Sequence, residues 1–551
     1  MSSLQKARKH YQPKLPDIIK NIERLKPKED KVLQLDNEAA EELIDRFPKS
    51  HDQPLISFTS GSDSDHKPLK VGVVFSGGQA AGGHNVLVGM YRALKKMHKD
   101  SLLYGFIGGP KGLIEDDCKE LTGKLIDEYA NQGGFDLIGS GRDKIEKSEE
   151  FEAVKDLVKR RDLNGIVIIG GDDSNTNAAF LAEYFLQHKV DCPVIGVPKT
   201  IDGDLTNDYV EASFGFDTAC KTYSEIIGNI ARDSLSAGKY YFFIKLMGRS
   251  ASHIALECAL QTRPNYTLIG EEVQKEERSL EDIVRDIADL ITERAEKGKN
   301  YGVILIPEGV IEFVPEMKSL ISELNHLLAS KEMDQKMNEL TSIQAKTEYI
   351  THRLSEHSEH SFKLLPKGIQ EQLLKERDPH GNVQVSKIES ERLLIEMVKV
   401  ELKKRGDSYK GKFSAQPYFC GYEGRSCFPS NFDADYCYTL GHVAALLIAQ
   451  KKTGYMACAT NLSEPPSQWG ILGVPIVPLM HSEMRKGKKK LVVKKALVDL
   501  DGPPFHEFAK QRRKWRLDDD YRYPGPIQFF GPEEIVDAVT FSLGMMKKVM
   551  S

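Results

Sequence analysis

The chain has 551 residues, 40% of them apolar and 28% charged, and a formal net charge of −5. That length exceeds one compact core and asks for two to four domains or one fold with large insertions. The small negative balance supplies no global attraction to nucleic acid or to anionic membranes, which argues against either as a partner.

The first thirty residues are rich in Lys, Pro, Asp and Glu and lack the apolar core of a signal peptide, so secretion is not expected. Residues 1–68 read as a charged extension with one amphipathic helix, Glu38 to Arg46, and a flexible polar stretch from Ser60 to His66. From Lys70 the pattern is strand, glycine loop, helix. Val71–Phe75 leads to a helix from about Val86, Ile166–Ile169 to one from about Asn175, and Val194–Val197 to one from about Phe216. Apolar runs that do not alternate predict strands covered on both faces, as in a doubly wound α/β sheet.

A second series predicts strands at Tyr240–Leu246, Tyr266–Ile269 and Gly302–Ile306. Between about Val310 and Gly411 the chain turns polar and helix-like, as in Ser319–Leu328 and Glu389–Lys404, and reads as a helical insertion. After Phe413 come aromatic and glycine-rich segments, a helix from about Asp433 to Lys452 and a basic, strand-rich end. The longest apolar runs, such as Val443–Ala449, fall short of the roughly 20 residues a membrane-spanning helix needs. The eight cysteines show no CxxC spacing, which points away from zinc knuckles and disulfide frameworks and suits a cytoplasmic protein.

Three loops carry the chemistry. Gly77 and Gly78, in Ser76–Asn85, follow a strand and precede a helix, where main-chain amides and a helix dipole can meet an anion. The same glycines would also serve a plain strand-to-helix turn. Gly170-Gly171-Asp172-Asp173 places a carboxylate, Asp172, directly after two glycines, where it can hold Mg²⁺ against phosphate oxygens, although either aspartate would also fit a plain cap on the following helix. In Pro198–Asp204, an extended backbone would point Asp202 and Asp204 the same way, pairing a hydroxyl-activating base with a metal- or water-binding carboxylate. Lys199 adds a point charge suited to a transferring phosphoryl group. Neither GxxxxGK[ST] nor a helix-opening GxGxxG occurs. Met247-Gly248-Arg249, Gly421-Tyr422-Glu423-Gly424-Arg425 and Arg142 add arginines suited to bidentate phosphate binding, although each would also fit an ordinary surface ion pair. Together the loops indicate phosphoryl transfer.

In their order these motifs resemble the phosphofructokinase family, specifically its diphosphate-dependent long-chain members, over about Lys70–Ile306 and Phe413–Cys458. The resemblance implies two similar three-layer α/β domains of the phosphofructokinase type with a large helical insertion and the active site between the domains. The boundaries would be 1–68 for the extension, 69–238 for the donor domain, 239–309 with 412–465 for the sugar-phosphate domain, 310–411 for a projecting insertion, and 466–551 for a closing section. It implies a donor site at Gly77, Gly78, Arg142, Asp173 and Lys199, Mg²⁺ on Asp172, and Asp202 as the base that takes the proton from the sugar 1-hydroxyl. Lys199, Asp204 and Arg249 would join the catalysis. Thr200, Ile201, Lys239, Tyr240, Met247, Gly248, Arg249, Glu308 and Tyr422–Arg425 (with Glu423 and Gly424) would bind fructose 6-phosphate. Glu271 is a rival to Glu308, which ends an apolar strand and better fits the family order. Lys239 and Tyr240 fall where the family shares a sugar-phosphate site across a subunit boundary, and a homodimer is implied.

ATP-dependent relatives carry glycine where this chain has Asp173 and Lys199. A carboxylate at Asp173 would repel a nucleotide's α-phosphate by roughly a few kcal/mol at an effective dielectric near 20, while Lys199 favours compact diphosphate. Ala81 stands where the family often has proline, which loosens the loop without removing a functional group. The donor and the sugar ester are close in phosphoryl potential, so the implied reaction runs both ways. Three alternatives stand beside it: an ATP-dependent phosphofructokinase, an NAD-kinase-like enzyme sharing the GGD loop, and a non-catalytic regulatory subunit. Asp173 and Lys199 argue against the first, the sugar-site clusters against the second, and the intact loops against the third. His352, His357 and His360 do not share one helix face, which disfavours a metal site. The basic run Arg485–Lys490, with Lys494, Lys495 and Arg512–Lys514 beyond it, lacks the aromatic interleaving of an RNA binder and reads as a solvated face.

Overall fold

The computed structural model describes residues 3–62, 66–328, 331–375, 383–485, 488–526, 533 and 537–550. Asp63–Asp65 of the polar stretch and Lys486–Gly487 of the basic run lie outside the described residues. Two units emerge, one of Met1–Thr222, Tyr422–Ala496 and Pro526–Lys547, the other of Tyr223–Gly421, Leu497–Gly525 and Lys548–Ser551.

The first unit is built on a 10-stranded sheet. Its centre is parallel: Tyr455–Thr460, Val194–Thr200, Gly165–Gly170, Lys70–Phe75 and Leu102–Phe106 lie side by side. Gly165–Gly170 is buried along its whole length, and Lys70–Phe75 and Val194–Thr200 are buried except at one end. Their unalternating Val and Ile runs follow from this, because helices cover both faces of a parallel sheet. The helices Gly83–Met97, Asp172–Gln187 and Phe216–Ala237 begin directly after the glycine-bearing loops. Each starts a few residues before the apolar periodicity does or at the same place, since the first turn is made of loop glycines and acids.

Three outcomes differ from the sequence reading. The first 68 residues are no mere extension, because Leu25–Val32 and Pro54–Ser60 form an antiparallel edge of the sheet. Pairing at an edge needs only backbone, and the charged side chains of Leu25–Val32 face outward and guard it. Next, Tyr422–Ala496 belongs to the first unit, not to the second as the 412–465 assignment had it. Tyr455–Thr460 pairs with Val194–Thr200 on one side and Gly470–Pro475 on the other. The preceding helix, Asn431–Ala449, lies so close to Gly83–Met97 that a Cβ on Gly89 would fall 2.2 Å from Tyr438 O.

The second unit holds a parallel sheet in the order Tyr266–Thr267, Asn300–Pro307, Lys239–Leu246, Ala415–Cys420. The segment 310–411 is helical as expected, with helices that include Pro315–Leu328, Ile343–Thr351, Glu356–Leu364 and Ser390–Lys404. It does not project. Leu320, Leu324, Phe362, Leu394 and Val398 share one hydrophobic core with Tyr241, Phe243 and Ile304 of the sheet. Lys245, 4% exposed, also reaches this segment, pairing with Glu391 at 3.5 Å and donating to Ile388 O at 3.2 Å. His352 follows one helix while His357 and His360 lie on the next, and no metal-binding cluster of His, Cys, Asp and Glu occurs among the described residues. All eight cysteines are free thiols, and no described helix is long and apolar enough to cross a membrane.

Candidate active site

In the first unit the three loops emerge from the carboxyl ends of adjacent parallel strands, the usual ligand edge of an α/β sheet. Gly77 sits at φ +85°, a backbone region that side chains disfavour, and its N–H donates to Gly141 O at 2.8 Å. Ser140 Oγ donates to Gly77 O at 2.6 Å. The Gly139–Arg142 turn thereby abuts the first glycine loop. Ser174 Oγ donates to Ser76 Oγ at 2.8 Å, and Asn175 Nδ2 donates to Gly170 O and Gly171 O at 2.7 and 2.9 Å. These bonds fix the second loop against the first.

Lys199 points into this cradle. Its side chain is buried, with the residue 5% exposed, and Nζ donates to Gly78 O at 2.6 Å. A Cβ on Gly77 would stand 3.4 Å from that Nζ. Burial pushes the Lys199 ammonium down to about 8, and Arg425 adds to the effect against the opposing pull of Asp202 and Asp172. Arg425 itself leans over the same loop: Nη2 donates to Gln79 Oε1 at 2.6 Å, and a Cβ on Gly78 would meet Nη2 at 2.7 Å. Arg425, expected with the sugar ligands, therefore touches the glycine loop, and the Tyr422 ring beneath its guanidinium is 71% exposed. Glu423 and Gly424 lie in the short helix Glu423–Ser426 beside it.

Asp172 and Asp173 open the helix Asp172–Gln187. Asp173 does not cap it from outside; its carboxylate lies 3.2 Å from Lys144 Nζ. Asp172 Oδ2 lies 3.8 Å from Lys495 Nζ. In the third loop Gly203 adopts φ +72°, so the chain turns between the two carboxylates and the extended backbone expected for Asp202 and Asp204 is not present. Asp204 is buried and its Oδ2 lies 3.3 Å from Lys495 Nζ, while the half-buried Asp202 donates its backbone N–H to Thr200 Oγ1 at 3.1 Å. Thr200 pairs with Gly215, whose N–H donates to the buried Asp433 at 2.9 Å. Thr218 N–H donates to the other oxygen of Asp433 at 2.9 Å, and burial together with Asp217 pushes this carboxyl up to about 7. Ile201 is buried beneath the loop.

A magnesium ion fits this donor set. Mg²⁺ takes one or two carboxylates and fills the rest of its octahedron with substrate phosphates and water, so a large protein cluster is not required. Asp172 lies behind two glycines, and a Cβ on Gly171 would meet nothing nearer than Lys199 O at 3.5 Å, which leaves room for phosphate oxygens. Asp204 Oδ2 is a buried acceptor without a hydrogen bond of good geometry.

The second unit holds the remaining residues. Met247, Gly248 and Arg249 follow the strand Lys239–Leu246, and Gly248 N–H donates to Glu308 Oε2 at 3.2 Å. Gly309 lies so close to Arg249 that a Cβ would fall 1.9 Å from Arg249 O. Glu271 Oε1 instead accepts from Ser252 N and Val498 N, both at 3.0 Å, a backbone-holding task that separates it from the Gly248 cluster. Lys239 and Tyr240 open the same strand, so an eight-residue strand at about 3.3 Å per residue puts them roughly 25 Å from Met247–Arg249. They do not join that set within one copy of the unit. Tyr240 has φ +73°, a strained value for an aromatic residue.

Sequence reasoning missed Lys144, Lys495, Gln79 and Asn175. Lys495 had been weighed only as part of a basic, solvated end. Nothing local in the sequence marks it, because its partners come from two distant loops.

The phosphofructokinase family model matches residues 70–357. A pyrophosphate–fructose 6-phosphate 1-phosphotransferase of Porphyromonas gingivalis is 50% identical over 549 residues, covering 99% of both chains. A protein of the same name from Entamoeba histolytica is 48% identical over 545 residues, covering 98% of this chain and 99% of its own. Among solved structures, a pyrophosphate-dependent phosphofructokinase from Marinobacter aquaeolei superposes with a TM-score of 0.53 at 15% identity, over 82% of this chain and 93% of that one. This last likeness concerns the fold alone.

Proposed function

Because the chain belongs to the phosphofructokinase family, we propose that it transfers a phosphoryl group reversibly between diphosphate and the 1-hydroxyl of D-fructose 6-phosphate, giving fructose 1,6-bisphosphate and phosphate. The observation that carries the donor choice is the buried Lys199 ammonium set 2.6 Å from Gly78 O, beside the Lys144–Asp173 pair. A cation fixed against the glycine loop suits a compact polyanion, and the Asp173 carboxylate obstructs the longer nucleotide chain. The full-length relatives carry the pyrophosphate name, which favours this reading over an ATP-dependent kinase, an NAD-kinase-like enzyme or a regulatory subunit.

Asp202 takes the proton of the attacking hydroxyl, and Thr200 holds the Asp202 backbone in place for that task. Lys199, Arg142 and Arg425 offset negative charge on the transferred group and its leaving phosphate. Asp172, with Asp204 near it, would hold Mg²⁺, whose positive charge would offset that of the phosphates. Glu308, Gly248 and Arg249 would bind the sugar phosphate. Lys239 and Tyr240, at the far end of their strand, suit a site completed by a second copy in a homodimer, which light scattering would test. The free thiols suit a cytoplasmic location, and the fructose 6-phosphate reaction named for the relatives would place the chain in glycolysis.

The direct test is the initial rate on fructose 6-phosphate and Mg²⁺ with diphosphate or ATP as sole donor. Turnover with diphosphate alone is expected. Turnover with ATP alone would overturn the donor assignment, and activity with neither would favour the regulatory subunit.

A further inference from the structure

Lys495 follows the hairpin Met480–Arg485 and Lys488–Val493 and is tied by main chain to the third loop, where Ala496 N donates to Asp204 O at 2.7 Å. Its Nζ lies 3.3 Å from Asp204 Oδ2 and 3.8 Å from Asp172 Oδ2. Asp204 is 3% exposed, and that Oδ2 has no well-formed hydrogen bond among the described residues, so the nearby ammonium is what offsets its charge. Two carboxylates from separate loops converging on one cation is the arrangement by which proteins hold a divalent ion, here with an ammonium between them.

We propose that Lys495 is a positioning residue that occupies the cation position between Asp172 and Asp204 in the substrate-free protein, so that Mg²⁺ enters together with diphosphate and not alone. A lone hydrated Mg²⁺ would have to displace an ammonium already held by both carboxylates. A donor arriving with its metal brings phosphate oxygens that give the displaced ammonium a new partner, so only the complex is favoured. No covalent bond changes in this exchange. The inference rests on the reading of Asp172 as the metal-holding carboxylate.

Manganese binding to the full-length, substrate-free protein tests it, read from the loss of the free aqueous Mn²⁺ signal in electron paramagnetic resonance. Removing one charge beside two carboxylates is expected to tighten Mn²⁺ binding by about tenfold or more in Lys495→Met. Lys495→Arg should bind as weakly as the parent, and the exposed neighbour Lys494→Met should match it. Adding Asp172→Asn to Lys495→Met should abolish the gain. Turnover with diphosphate should fall in Lys495→Met even though metal binds more tightly, a divergence that a purely structural role does not produce. Unchanged or weaker Mn²⁺ binding in Lys495→Met overturns the inference. Should that variant fail to fold, Lys495→Gln carries the same expectation and the same refutation. Asp172→Asn in the parent background separates the two readings, because an unaltered Mg²⁺ dependence of turnover would reject Asp172 as the metal carboxylate whatever Lys495 does.

Discussion

Lys199 should make the enzyme most sensitive to alkaline pH at the step where it captures diphosphate, and its removal should stabilise the fold. Burial takes its ammonium from 10.5 to about 8, which corresponds to about 3 kcal/mol of unfavourable free energy in the charged form at neutral pH. With 5% of the residue exposed, solvent screening does little to reduce that figure. Between about 8 and 10.5 the unfolded chain keeps a proton that the folded chain has released, so stability rises with pH across that window and the penalty is complete below it. Lys199→Met removes the penalty and forfeits the bond to Gly78 O, about 1 kcal/mol, leaving a net gain of about 2 kcal/mol at pH 7. Thermal melting of the ligand-free protein should rise by a few degrees while diphosphate turnover is lost, an exchange of stability for function. In the parent, kcat/KM for diphosphate should fall about tenfold per pH unit above 8, whereas kcat should hold to higher pH because the bound polyanion favours the ammonium. Lys199→Arg stays charged throughout, so its ratio to the parent at each pH cancels the ionisation of the donor itself. A ratio independent of pH between 7 and 9.5, or a Lys199→Met protein less stable than the parent, would refute the reasoning.

Asp202→Ser should lower kcat by about 10³-fold while the fructose 6-phosphate Kd from calorimetry stays within about threefold, since a base acts mainly in the transition state; equal losses in rate and binding would remove Asp202 from that role. Asp173→Gly, alone or with Lys199→Gly, should shift the donor preference toward ATP. The Asp173 and Lys144 side chains are 43% and 31% exposed, so screening limits the single-variant shift to about tenfold, and an unmoved donor ratio would show that Asp173 does not gate the nucleotide. Lys245→Met leaves Glu391 as an unpaired buried charge and should cost about 3–5 kcal/mol in urea denaturation, most of it recovered in Lys245→Met with Glu391→Met. A double variant no more stable than the single would mean that the pair is not the source of the loss.

The strand-loop-helix rhythm was legible because parallel strands buried on both faces must be continuously apolar and because helices that open on glycine loops carry those glycines visibly. The helical character of 310–411 was legible for the same reason, through periodicity. Its place in the core was not, since Phe362 and Val398 look the same whether they pack against their own helices or against Phe243 of the sheet. The edge strand Leu25–Val32 escaped because its pairing uses main chain and its side chains are those of a solvated tail. Asp202, Lys199 and Asp172 could be named from their loops. The direction of Asp204 could not, because one positive φ at Gly203 decides it. Lys495 and Lys144 were illegible because each earns its place only through partners brought near by the sheet.

Lys199 and Lys495 respond to their surroundings in opposite ways, and this difference assigns their tasks. Lys495 lies between carboxylates, which hold its charge, so further negative charge adds little to it. Lys199 donates to a carbonyl and has its charge disfavoured by burial and by Arg425, so an arriving polyanion relieves it directly. The free energy that Lys199 forgoes in the empty site is recovered only when phosphate oxygens are present. A cation already satisfied by carboxylates cannot discriminate between an empty and a filled site in this way. Diphosphate capture should therefore depend far more on Lys199 than on any of the surface lysines of the basic hairpin, and that dependence should persist at high salt, because a buried charge is poorly screened while the exposed ones are not.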